Sequence, residues 1–152
     1  MKVTGSDFDG TITTNSVIVI KPHHLLDIFK LYGKGIENFI PDKNYNHNFY
    51  LIGNAVIRNE VNKIRFTYSY DDICKPCYYL KNSVCSNYFS ANGVDINKNK
   101  FNEKLDIRLM KLLNGYISKM VNSRNRINEK IIFLHVSNTE EICDLIHSFL
   151  DW

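Results

Sequence analysis

The hydrophobic pattern begins with Val17-Ile18-Val19-Ile20, an unbroken β-branched run that predicts a short buried strand closed by Lys21-Pro22. Pro22 suits the first position of a helix, and His23, His24, Leu25, Leu26, Asp27, Ile28, Phe29, Lys30 and Leu31 continue it to stops at Gly33 and Gly35. That helix is apolar on most sides, which predicts burial. Beyond Pro41, the stripe Phe49, Ile52, Val56 and Glu60 predicts a second helix over about 47–61, with Gly53 permitting close packing. Residues 63–69 alternate polar with apolar or aromatic groups, the period of a half-buried strand, and deliver the chain to Asp71. Residues 86–100, rich in Asn, Ser and Gly, read as a loop. A long helix over about 102–121 follows, striped by Leu105, Leu109, Leu112, Leu113, Tyr116 and Met120. Residues 131–136 are a third strand candidate. Ser137 and Glu140 then form a capping box for a last helix that turns Ile142, Leu145, Ile146 and Phe149 inward.

Strand, helical crossover and strand between residues 17 and 69 make a β-α-β unit, and such crossovers are almost always right-handed with parallel strands. Both strands then end on one edge of the sheet, so His23 and Cys74 converge where α/β sheets bind ligands. The expectation is a single α/β domain over 17–152: a small, largely parallel sheet flanked by helices, with a Cys-rich loop at its carboxyl edge. Residues 1–16 form a polar N-terminal extension.

A chain of 152 residues that is 44% hydrophobic can bury a core without disulfides or a metal staple. Its net charge of +3, from 19 Lys and Arg against 16 Asp and Glu, does not call for nucleic acid. The basic excess between Lys98 and Lys130 reads as a solvated helix face. The apolar runs are too short to span a bilayer, and residues 1–16 lack the apolar core of a signal peptide. Three crowded cysteines with a fourth far off fit reduced thiols, hence a cytoplasmic protein.

The chemistry is concentrated in Asp71-Asp72-Ile73-Cys74-Lys75-Pro76-Cys77, followed by Cys85. Pro76 favours a tight turn, and cysteines two residues apart can reach one metal centre, since thiolates suit zinc and iron–sulfur clusters. Cys74, Cys77 and Cys85 are the candidate cofactor ligands, with His23 and Asp27, four apart on one helix face, as further metal ligands. Asp71, Asp72 and His24 are candidate acid/base groups. Each has a structural alternative: the aspartates as caps of the turn, the histidines as hydrogen-bonded core residues, His47 as a surface histidine. Cys143 reads as a small buried apolar residue. A [4Fe–4S] cluster on three thiolates leaves one iron open to a small-molecule substrate or a redox partner. Zinc as Cys₃His or Cys₃Asp makes a structural or binding module instead. Thiol redox chemistry at the Cys-x-x-Cys is a third reading, in which Cys85 has no role.

Ile20-Lys21-Pro22-His23-His24-Leu25-Leu26, Tyr32-Gly33-Lys34-Gly35 and Asp71-Asp72-Ile73-Cys74-Lys75-Pro76-Cys77 together resemble domain-of-unknown-function family 1284, small bacterial and archaeal proteins suggested to bind iron–sulfur clusters. The likeness covers residues 18 to about 120 and implies a cofactor type without a reaction. Many members carry a cysteine after His-His-Leu-Leu, where this chain has Asp27. Asp27 then either replaces that ligand with oxygen or leaves the position open. Separately, Asp7-Phe8-Asp9-Gly10-Thr11 looks like the first motif of the haloacid-dehalogenase phosphatases, which implies Asp7 as nucleophile and Asp9 as acid/base with Mg²⁺.

Overall fold

The structure, a computed structural model, describes residues 12, 17–58, 60–61, 63–120 and 133–135. Asp7, Asp9, the capping box at Ser137, the last helix and Cys143 lie outside the described residues. Strand β1 (Val17–Ile20) runs into helix α1 (Pro22–Gly33), and helix α2 (Phe49–Ile57) leads to strand β2 (Lys63–Phe66). Two hairpins follow, β3 (Leu80–Lys81) with β4 (Val84–Cys85) and β5 (Tyr88–Ala91) with β6 (Val94–Asn97), then helix α3 (Lys98–Met120) and strand β7 (Phe133–His135).

The β-α-β unit is present. β1 and β2 pair in parallel from Val17 opposite Lys63 to Ile20 opposite Phe66. A largely parallel sheet is not: β7 joins β2 antiparallel, and both hairpins are antiparallel, so one ladder of four among the described residues is parallel. The fold is mixed α/β with small sheets. The second hairpin occupies the stretch expected to be a loop. Its turn, Asn92-Gly93, has φ of 51° and 75° at the two positions, the left-handed pair that matches the twist of a two-residue hairpin.

Helix limits follow local bonding. Pro22 opens α1 after an extended Lys21, and α1 stops where Gly35 takes φ +91° while the Gly35 and Ile36 N–H groups bond Tyr32 O and Leu31 O. At the start of α2, Asn48 is held out of the helix: its N–H donates to Ile73 O and its side-chain amide to Asp72 O. α3 starts earlier than its leucine stripe, because Asn97 accepts the Lys100 N–H and caps it.

Ile18, Ile20, Ile28, Ile52, Val56, Ile64, Phe66, Ile73 and Met110 form the sealed centre of the core. β1 is buried on both faces, which is why its sequence runs apolar without alternation. Ile73 belongs to the cysteine loop yet is fully buried, and it pins that loop to the sheet.

Candidate metal centre

Thr67 N bonds Ile20 O on the β2 side of β1, which leaves Val19 and Lys21 facing the opposite edge. No strand pairs there among the described residues. Asp71 and Asp72 take its place with their side chains. Asp72 gives its own N–H to Val19 O (3.0 Å) and takes the Val19 N–H on Oδ2 (2.7 Å). Asp71 takes the Lys21 N–H on Oδ2 (2.7 Å) and the Cys74 N–H on Oδ1 (3.0 Å). Backbone donors that would otherwise be buried unpaired are thereby satisfied.

Both aspartates are sealed from solvent. The Lys75 ammonium meets Asp72 Oδ1 at 2.8 Å. Asp71 meets His24 instead, Nδ1 to Oδ2 at 2.7 Å. Burial opposes ionisation of Asp71, but the His24 ring and the Lys21 and Cys74 N–H groups outweigh it and hold the carboxyl well below the usual range. A ring nitrogen of His24, a carboxylate oxygen of Asp71 and Cys74 Sγ all lie within 4.8 Å of one another. Among the described residues this is the one group of three or more His, Cys, Asp or Glu side chains so close together.

The remaining expected residues sit elsewhere. His23 is buried with its Nδ1 2.8 Å from Asp106 Oδ1, and the same oxygen takes its N–H at 2.8 Å. Asp106 therefore caps α1 from α3, and desolvation keeps the His23 ring less basic than usual despite it. Asp27 is exposed. Residues four apart diverge by about 40° on a helix, enough to put His23 inside and Asp27 at the surface. Cys77 and Cys85 are free and half-buried, outside the His24 group. The turn 74–77, closed by Cys77 N to Cys74 O at 2.9 Å, carries Cys77 onward, and Cys85 lies on β4 opposite Leu80.

Three residues around the site carry little sequence signal of a role in it. Asp106 is hidden in a helix whose stripe speaks only of packing. Lys21 reads as the end of a strand. His47 reads as a surface residue, yet it stacks between Tyr45 (5.3 Å, 22°) and Phe49 (5.8 Å, 51°), and its Nδ1 is sealed without a hydrogen-bond partner, the one such side-chain atom among the described residues. Desolvation makes His47 less basic, and its own backbone and the Asp42 carboxylate offset this only in part.

Cys74 is set against nucleophilic use in this arrangement. Burial and then the Asp71 carboxylate push its thiol up, so it keeps its proton. No helix among the described residues is long and apolar enough to cross a membrane. No family model, curated protein or solved structure matches the chain.

Proposed function

We propose that this chain is a metal-binding protein whose centre is built on Cys74 and His24, with Asp71 as the group that orients them. The observation that carries the reading is the convergence of thiol, imidazole and carboxylate at the carboxyl end of the parallel β1–β2 pair. Metal-ligating histidines commonly give their other ring N–H to a carboxylate, and His24 makes that bond to Asp71 from Nδ1, leaving Nε2 as the ligand. A mixed nitrogen and sulfur set suits a borderline ion such as Zn²⁺ or Fe²⁺. A coordinated cation also reverses the balance at Cys74, because a thiol bound to a metal gives up its proton.

A second reading is an iron–sulfur cluster on Cys74, Cys77 and Cys85. It is favoured by all three thiols being free within one turn and hairpin, and it requires Cys77 and Cys85 to move towards Cys74. Metal and acid-labile sulfide assays with a visible spectrum, on protein purified without oxygen, separate the two. One metal without sulfide, lost in Cys74→Ser and kept in Cys77→Ser and Cys85→Ser, supports the single-ion centre. Brown protein with matched iron and sulfide, lost in all three variants, supports the cluster. Protein that takes up neither metal sinks both.

A further inference from the structure

Helix α3 turns Asp106, Leu109 and Met110 to the core, and Asp106 is tied to His23 of α1. That rotation sets what the helix shows to solvent. Lys100, Lys104, Arg108 and Lys111 are all exposed. At about 100° per residue they fall within about 80° of one another, on the side away from Asp106, Leu109 and Met110. They form a row about 17 Å long, with one cation about every 6 Å. Phe101 and Ile107 border the row and are 48% and 40% exposed. The Phe101 ring is also held in place, because Phe89 of β5 meets it in a T-shaped contact with centroids 5.1 Å apart.

The net charge of +3 averages over this row and hides it. A helix face kept only for solubility mixes signs, since acids three or four residues from a cation relieve repulsion. Among the described residues of α3 the one exposed acid is Glu103, at helical spacing from Lys100 alone. Lys104 stands four residues from both Lys100 and Arg108, and Arg108 three from Lys111, so like charges adjoin along the whole row. The first turn carries no acid, while Lys98 and Lys100 oppose the helix macrodipole there. Cations arranged against their own helix are relieved by a polyanion.

We propose that this face of α3 binds single-stranded nucleic acid, with Lys100, Lys104, Arg108 and Lys111 taking phosphates along the strand and Phe101 stacking on a base. A row of cations beside an exposed, fixed aromatic ring is the combination that holds a single strand with little regard to sequence. A lipid surface fits less well. A helix lying on a membrane buries an apolar face flanked by cations, whereas the apolar side of α3 is packed in the core and the cations hold the middle of its outer side. An acidic protein segment matches the charges but has no flat base to lay on Phe101. Nothing in this face depends on a metal at the His24 centre.

The test is fluorescence anisotropy of a labelled oligothymidylate, about 12 nucleotides long, titrated with the full chain at several salt concentrations. Four phosphate contacts on a single strand give a slope of log affinity against log salt of about −2.8, or about 50-fold weaker binding from about 50 to about 200 mM salt. Lys104→Gln with Arg108→Gln halves the slope to about −1.4 and leaves thermal stability at or above wild type. Phe101→Ala keeps the slope and weakens binding about 5- to 100-fold, the loss of one stacked base. Phe101→Leu, which keeps an apolar contact for Phe89 without a flat ring, replaces it should the alanine variant lose its fold. No binding at about 50 mM salt overturns the proposal, as does a slope that the double variant leaves unchanged or an affinity indifferent to Phe101. Displacement of the strand by polyglutamate at matched charge overturns it in favour of an acidic protein partner. Displacement by phosphatidylserine vesicles does so in favour of a lipid surface.

Discussion

Asp71→Asn changes one oxygen to an NH₂ group in a side chain that no solvent reaches. The native carboxylate accepts His24 Nδ1 and Lys21 N on one oxygen and Cys74 N on the other. The amide can turn its single oxygen towards His24 and Lys21, but its NH₂ then faces the Cys74 N–H, donor against donor. Two bonds fall from charged to neutral, about 1 kcal/mol each, and one N–H is left unsatisfied, about 1–3 kcal/mol. The sum is about 3–5 kcal/mol, a large part of the about 5–15 kcal/mol typical of a domain. Urea unfolding followed by far-ultraviolet circular dichroism reads it as a lower midpoint with unchanged slope. Metal titration of the folded fraction reads the second consequence. A carboxylate that orients a ligating histidine is worth about 10- to 100-fold in metal affinity. A stability loss under about 1 kcal/mol refutes this bonding, since isolated surface changes cost that little. A full stability loss with unchanged affinity per folded molecule makes Asp71 a structural bracket only and refutes its role in orienting His24.

Asp106→Ala strips His23 of both its ring and backbone partners and uncaps α1. A loss of about 2–5 kcal/mol is expected, with faster hydrogen exchange at the His23 amide; unchanged exchange would show that α3 does not cap α1. Gly53→Ala places a Cβ 2.9 Å from Phe39 Cδ2, on a residue tied at both N–H and carbonyl to the Asn54 amide. Overpacking of about 1–3 kcal/mol set against about 1 kcal/mol of helix propensity gives a net loss of up to about 2 kcal/mol, and a stabilised protein would mean the ring yields freely. His47→Phe keeps the ring between Tyr45 and Phe49 and removes the orphaned nitrogen. The apoprotein should gain up to about 1 kcal/mol, with metal affinity per folded molecule unchanged because His47 stands outside the His24, Asp71 and Cys74 group. A fall in affinity of about tenfold in the titration would refute that placement.

The parallel pair and its crossover are legible in the sequence because β1 is buried on both faces and therefore writes an unbroken apolar run, while Asp71 follows β2 by direct chain continuity. The hairpin at 88–97 carries a strong local signal, Asn92-Gly93 between apolar-bearing tetrads, which the polar composition of the stretch conceals. Composition averages over a turn, whereas the left-handed pair is decided by two residues. The site is half legible. Asp71, Cys74 and His24 are all readable as candidates, but the roles of the two histidines depend on which way α1 is rotated, and that is decided by Asp106 from a helix 83 residues away. Nothing periodic in residues 98–120 distinguishes an aspartate that caps a distant helix from one that faces solvent.

The twin aspartates show why the cap and acid/base readings of this motif are not rivals. On the free edge of β1, Val19 and Lys21 need acceptors, and a carboxylate is the acceptor that can serve a backbone N–H and a side chain at once. Asp72 turns its second oxygen to Lys75 and so closes the network electrostatically. Asp71 directs its remaining capacity to an imidazole and to the turn that carries a thiol. The same bonds that finish the strand edge thus aim His24 and Cys74 at one point, at the place where a crossover connection brings both chain segments together. Replacing Asp72 should therefore cost stability with little change in metal affinity per folded molecule, whereas replacing Asp71 costs both. It is the difference between the two neighbours, more than either loss alone, that separates a braced metal centre from a well-capped strand.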